Sequence, residues 1–141
     1  MATLFVDKLD PQSGTALEIG TSGDTITVPS GATFNVAGTL QSGGVGMLGI
    51  GQSWAEVSGS RAMGVTYTNS TGQPIMVVIS LHLDDAEVAE FRIGGTAMGS
   101  VQKSGGNPAR MMCSMIVPEG DTYGMFNTSG TTTVSNWAEL S

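Results

Sequence analysis

The sequence is poor in the residues that most enzyme and nucleic-acid chemistry requires. It holds one cysteine, Cys113, and one histidine, His82. A single cysteine excludes an intrachain disulfide and any multi-thiolate metal centre. Cys113 lies in the apolar run 111 to 117, where burial as a small hydrophobe is its expected role. Basic residues are scarce, 5 against 12 acidic ones, and the formal charge of -7 repels nucleic acid and anionic membrane. Neither nucleic acid nor membrane insertion is expected. Residues 25 to 55 carry no charge, yet Gly, Ser, Thr, Asn, Gln and Pro29 interrupt the stretch too often for a membrane helix. The first residues lack a basic start and a long apolar stretch, so no secretory signal is read and assembly in a cytoplasm is expected.

What is abundant is Gly (21 residues), together with Thr, Ser and Val, the composition of short strands joined by tight turns. At 141 residues the chain is long enough for one domain and an extended segment. The leading section, residues 1 to 42, contains an eight-residue repeat: Gly23-Asp24-Thr25-Ile26-Thr27-Val28 aligns with Gly31-Ala32-Thr33-Phe34-Asn35-Val36. Its apolar residues lie two apart, Ile26 and Val28, then Phe34 and Val36, with Leu40 past Gly38, the pattern of short strands with one buried face. Pro29-Ser30-Gly31 between them is a turn signal.

So few large side chains cannot offset a backbone entropy cost of about 1–2 kcal/mol per residue. The section needs neighbours. Three copies about a common axis would supply them, with Ile26, Val28, Phe34, Val36 and Leu40 as the interface. Packing as an edge hairpin on its own domain is the alternative. Residues 43 to 51 form a Gly-rich connector, readable as a flexible linker or as three closely packed backbones with Val45, Met47 or Leu48, and Ile50 inward.

Residues 52 to 141 read as one β-domain. Ile75, Val77, Ile79, Leu81 and Leu83 alternate with Met76, Val78, Ser80, His82 and Asp84, and after a turn at Asp85-Ala86 the residues Ala89, Phe91 and Ile93 alternate with Val88, Glu90 and Arg92. These two segments are expected to pair antiparallel. Residues 96 to 102, 110 to 117, 123 to 127 and 132 to 140 complete a set of strands with turn signals between them, which argues for a sandwich or jelly roll. The expected core is Trp54, Ile75, Val77, Ile79, Leu81, Phe91 and Trp137, with the two tryptophans bringing the first and last strands of the section together.

Catalytic patterns are weak. A triad would have to use His82, and no Gly-x-Ser-x-Gly elbow accompanies it. His82 and Asp84 share a strand face at a spacing that suits two metal ligands, although solvent-facing polar residues are the default and no metal is assigned. Glu56, Glu119 and Asp121 are expected as turn and surface residues rather than a glycosidase pair. Asn69 and Asn127, which open Asn-x-Ser/Thr triplets, are expected in loops. Neither a cofactor nor an enzymatic activity is expected.

Gly51-Gln52-Ser53-Trp54, Ser60-Arg61-Ala62-Met63-Gly64 and Tyr67-Thr68-Asn69, then Pro74-Ile75, resemble the terminal domain of bacteriophage tail fibres. Val117-Pro118-Glu119-Gly120-Asp121-Thr122-Tyr123 and the closing Trp137-Ala138-Glu139-Leu140 fit the same family, across most of residues 51 to 141. The opening Leu4-Phe5-Val6-Asp7-Lys8-Leu9-Asp10 and the Gly-Asp-Thr-Ile-Thr-Val-Pro-Ser-Gly-Ala-Thr run are similar to repeats of marine and cyanobacterial phage proteins. The resemblance implies an all-β homotrimer, a β stalk intertwined or side by side followed by a β-sandwich or jelly-roll-like knob, at the virion surface. Its partners would be sister chains, other virion proteins of tail or capsid, and a host-surface glycan or protein. Lys103, Asn107 and Asn127 are the candidate receptor contacts, because loops on rigid β scaffolds carry recognition. Such fibres usually begin with a substantial anchoring domain, whereas this sequence opens with stalk-like residues. A head fibre or cement protein decorating the capsid is therefore the alternative.

Overall fold

Alternating side chains become a strand only where a neighbour takes up the backbone hydrogen bonds, and the two parts of this chain differ in whether they have one. The computed structural model describes Leu9, residues 13 to 38 and residues 40 to 141. It divides into two units, Met1–Asn35 and Val36–Ser141. Apart from Leu9, the Leu4 to Asp10 opening lies outside the described residues.

Between residues 13 and 38 there is no strand, and every residue is exposed. The strands expected over 26–28 and 34–36 are thus absent from the single chain. Ile26 and Phe34 are 65% and 69% exposed, and Val28, Val36 and Leu40 are also exposed. What the eight-residue repeat does form is a pair of turns. Asp24 N donates to Thr21 O and Ala32 N to Pro29 O, both at 3.0 Å. Gly23 and Gly31 occupy corresponding places in them with φ of 95° and 84°, a conformation that L side chains resist.

The larger unit is all-β and antiparallel, with no α-helix among the described residues. A small hairpin, β1 (Gln41–Ser42) and β2 (Val45–Gly46), turns on Gly43 and Gly44. The remaining strands are β3 (Trp54–Glu56), β4 (Tyr67–Thr68), β5 (Ile75–Leu83), β6 (Val88–Ile93), β7 (Thr96–Gln102), β8 (Ala109–Val117), β9 (Thr122–Ser129) and β10 (Thr133–Leu140). One sheet runs β3-β10-β5-β8 and the other β4-β9-β6-β7. Counting from β3, the first sheet holds the first, eighth, third and sixth strands and the second sheet the rest. That is jelly-roll connectivity.

The alternation expected over residues 75 to 83 is complete, with Ile75, Val77, Ile79, Leu81 and Leu83 all buried. They meet Ala89 and Phe91 of β6, Val117 of β8, Tyr123 and Met125 of β9 and Trp137 of β10 in one core shared by both sheets. The expected β5–β6 pairing does not occur. β5 pairs with β8 and β10, whereas β6 pairs with β7 and β9. Each of the two strands has a fully apolar face, and crossing between sheets at residues 84 to 87 lets those faces meet across the core instead of lying side by side.

Trp54 also departs from expectation. β3 does join β10, with Leu140 opposite Trp54. Trp54 is nevertheless 53% exposed while Trp137 is fully buried. Leu140 pairs with Met76, an outward-facing residue of β5, so the register puts Trp54 on the outer face of its sheet.

Gly124 on β9 is buried, and a methyl group there would stand 2.5 Å from the Val65 carbonyl oxygen and 2.9 Å from the Phe126 ring. Gly124→Ala is therefore expected to destabilise the domain by about 1–3 kcal/mol, the usual cost of overpacking, measured by urea denaturation.

Candidate functional site

The last strand carries the most demanding polar group in the molecule. Strand alternation that sends Trp137 into the core sends Glu139 there as well, and Glu139 is only 4% exposed. Its Oε1 accepts hydrogen bonds from Arg61 Nε (2.8 Å), Tyr123 OH (2.8 Å) and Trp137 Nε1 (2.9 Å). Its Oε2 accepts from an Arg61 guanidinium nitrogen at 2.7 Å. Arg61 thus meets the carboxylate with two parallel bonds, the geometry that best matches its planar fork. The bond with Glu139 holds the Arg61 guanidinium above its ordinary range. Burial, then the hydrogen bond to Glu139, push the Tyr123 phenol up to about 12. Both oxygens of this carboxylate are thus taken up by donors from within the domain.

The other residues of the motifs brace the same end of the domain, where the chain enters. The Arg61 guanidinium carbon lies 4.5 Å from the centre of the Tyr67 ring, whose edge meets Trp137 with ring centroids 6.0 Å apart. Tyr67 OH accepts from Ala62 N at 2.8 Å. Gln52 Nε2 donates to the carbonyls of Pro74 (2.9 Å) and Leu140 (3.2 Å), tying the incoming chain to strands β5 and β10. Asn69 lies in a loop, as expected, but is 1% exposed. Its Nδ2 donates to the carbonyls of Gln73 (2.8 Å), Pro118 (3.0 Å) and Val117 (3.1 Å), and Gly120 N donates to its own carbonyl at 2.8 Å. Buried loop carbonyls need such a partner.

The opposite end is where three loops converge: residues 84 to 87, 103 to 108 and 130 to 132. Glu87, 7% exposed, links all three. Its Oε2 accepts from Asp84 N (2.7 Å), its Oε1 from Thr131 N (2.9 Å), and its backbone carbonyl from Lys103 N (3.0 Å). Asp85 Oδ1 accepts from Gly105 N, and Lys103 Nζ from its own side donates to the Gly105 carbonyl. The outcome is a set of short loops linked by hydrogen bonds to two acidic side chains, Glu87 buried and Asp85 exposed.

Of the expected contacts, Lys103 and Asn107 lie in this loop cluster, with Asn107 exposed. Asn127 does not lie in a loop. It belongs to β9, paired with Ala89, and its Oδ1 accepts from Thr132 N at 3.3 Å, closing the link to β10. Among the described residues no three His, Cys, Asp or Glu side chains converge as metal ligands, His82 and Asp84 included. Cys113 faces inward from β8, and burial raises its thiol pKa. The Gly94-Gly95 and Gly43-Gly44 pairs are two-residue hairpin turns with positive φ at both positions. The sequence marks Glu139 only as part of the closing Trp-x-Glu-Leu motif and Glu87 only as a neighbour of His82 and Asp84, and neither is expected as a buried acceptor. A carboxylate two residues from a core Trp on an alternating strand was the available signal for Glu139, whereas nothing local marks the burial of Glu87.

A cleft of about 150 Å³ lies on the outer side of the second sheet, lined by Thr66, Arg92, Gly95, Thr122, Tyr123 and Phe126. Arg92 lies over the Phe126 ring, 4.7 Å from its centre, and pairs with Glu90. The aromatic face in this cleft is therefore already covered.

Glu139→Ala would leave Arg61, Tyr123 and Trp137 without their acceptor and is expected to cost about 3 kcal/mol or more, measured by urea denaturation. Tyr123→Phe removes one donor of several and is expected to cost about 1 kcal/mol. Because the folded phenol pKa is raised from 10.0 to about 12, its contribution is whole below pH 10 and is lost as pH rises toward 12. Ultraviolet titration is expected to show one phenol ionising near pH 12, and stability measured across this window is expected to fall more in the wild type than in Tyr123→Phe.

Comparison with family models, with curated proteins and with solved structures gives no match to this chain.

Proposed function

We propose that this chain is a non-enzymatic structural protein of a bacteriophage virion, a homotrimeric fibre in which residues 52 to 141 form the knob and the leading section the stalk. On this reading it attaches to the host surface through the knob. The observation that carries the reading is the position of the motif residues. Of the residues by which the chain resembles tail-fibre terminal domains, Arg61, Tyr67, Tyr123, Trp137 and Glu139 form one internal brace between the two sheets, and Gln52 and Asn69 tie nearby segments down by bonds to backbone carbonyls. They therefore work as determinants of a scaffold, so the resemblance concerns a fold and not a borrowed catalytic pattern.

Two further features support it. The apolar residues of the leading section are exposed in the single chain, which suits burial against sister chains. The loop cluster around Glu87 is at the end away from the Gln52 tether, where a fibre would present it outward. Rigid short loops lower the entropy cost of binding a glycan or protein.

Light scattering on the purified protein is expected to give three times the 14.4 kDa chain mass. A stable monomer would sink the homotrimer. Lys103→Ala combined with Asn107→Ala is expected to weaken adsorption to host cells by about tenfold, equivalent to about 1.4 kcal/mol, with the thermal melt unchanged. Gold labelling of intact particles separates a tail position from the alternative, a head fibre or cement protein on the capsid.

A further inference from the structure

The outer face of the β3-β10-β5-β8 sheet is apolar over one part, where an antiparallel sheet facing water is ordinarily polar. Register aligns Trp54, Leu140, Met76 and Ile116 in one row across all four strands. The next row is Glu56, Ala138, Val78 and Ser114, and Met112 lies beyond it opposite Ser80. Met112, Ile116 and Trp54 are 70%, 56% and 53% exposed.

Across four strands about 4.8 Å apart, the two rows, each taking about 7 Å of strand length, cover roughly 250 Å², and beyond them Ser80, Asn136, His82 and Arg110 make the face more polar. The uncharged segment before β3 extends the apolar part. Val45, Met47 and Ile50 are exposed there, and the Gln52 bonds to Pro74 and Leu140 hold the segment at the end of the sheet where the apolar row lies.

We propose that this face is the contact between neighbouring copies of the chain. The proposal rests on the fibre reading and specifies the knob surface that would join the subunits. The charges at the two edges of the face are opposite in sign, which fits a sister copy as the occupant. In a chain of net charge -7, this face has Glu56 as its one carboxylate in the two rows, on the β3 edge. Arg110, opposite His82, lies on the β8 edge. A head-to-tail contact brings the Trp54 and Glu56 edge of one copy against the Ile116, Met112 and Arg110 edge of the next, and such heterologous contacts close into rings. β8 has nine residues and, among the described residues, pairs only with β5, so its other edge is a long unpaired one there, which proteins commonly cover.

Two measurements test this. Met112→Glu with Ile116→Glu changes only exposed side chains, so circular dichroism is expected to keep its β signal while light scattering falls from three chains to one. In wild-type protein under mild peroxide, Met112 is expected to oxidise at least tenfold more slowly in the assembled state than in the dissociated variant Trp54→Arg, read by mass spectrometry; this arm does not depend on the double variant folding. A wild-type trimer that stays trimeric in the double variant and oxidises freely at Met112 overturns the surface and leaves a stalk-held fibre intact. A monomeric wild type overturns both.

Discussion

One buried carboxylate holds the domain closed. Taking Glu139 out of water costs several kcal/mol, and the protein offsets that by aiming Arg61, Tyr123 and Trp137 at its two oxygens. These partners come from the loop before β4, from the opposite sheet and from β10 itself. Satisfying the charge therefore requires both sheets and that loop to be in place together. Because β10 lies between β3 and β5, the last strand of the domain fills the middle of a sheet whose other strands come earlier in the chain. The strand that closes the fold carries the group that checks whether it is closed correctly.

Around this point the domain separates its tasks by position. The entry end is braced by side chain to backbone bonds from Gln52 and Asn69, which fasten loops that would otherwise leave buried carbonyls unpaired. The far end uses Glu87 in the same way, but what it fixes are exposed loops. A stiff scaffold with short, fixed loops at one end is an arrangement suited to recognition. The polar residues that look functional in the sequence are mostly the ones that hold this scaffold together.

The leading section obeys a different constraint. Its two glycine-bearing turns form locally, since each needs only its own four residues. Its apolar side chains have no such local solution and stand in solvent. Conformational entropy falls on every residue ordered, while the gain from burial arrives only when another surface is present.

Strand positions were legible because alternation is a property of each segment alone: residues 75 to 83, 88 to 93, 96 to 102 and the three later strands lie close to where the pattern puts them. The turns were legible for the same reason, as was the meeting of the first and last strands, marked by two tryptophans. Pairing was not. A period of two shows which face of a strand is apolar but not which neighbour it takes, so residues 75 to 93 read as a hairpin when they cross between sheets. Trp54 and Trp137 are chemically equal in the sequence, and only register sends one outward and the other into the core. The burial of Glu139 and Asn69 was likewise decided by tertiary structure, because their partners lie up to 78 and 49 residues away. The sequence by itself determined an all-β chain with the strands of residues 75 to 140 and the turns nearly in place, though not the strands expected over 26–28 and 34–36, which lack a neighbour in the single chain; the connectivity, the internal brace and the apolar outer rows depend on contacts between segments far apart in the chain, which no local pattern encodes.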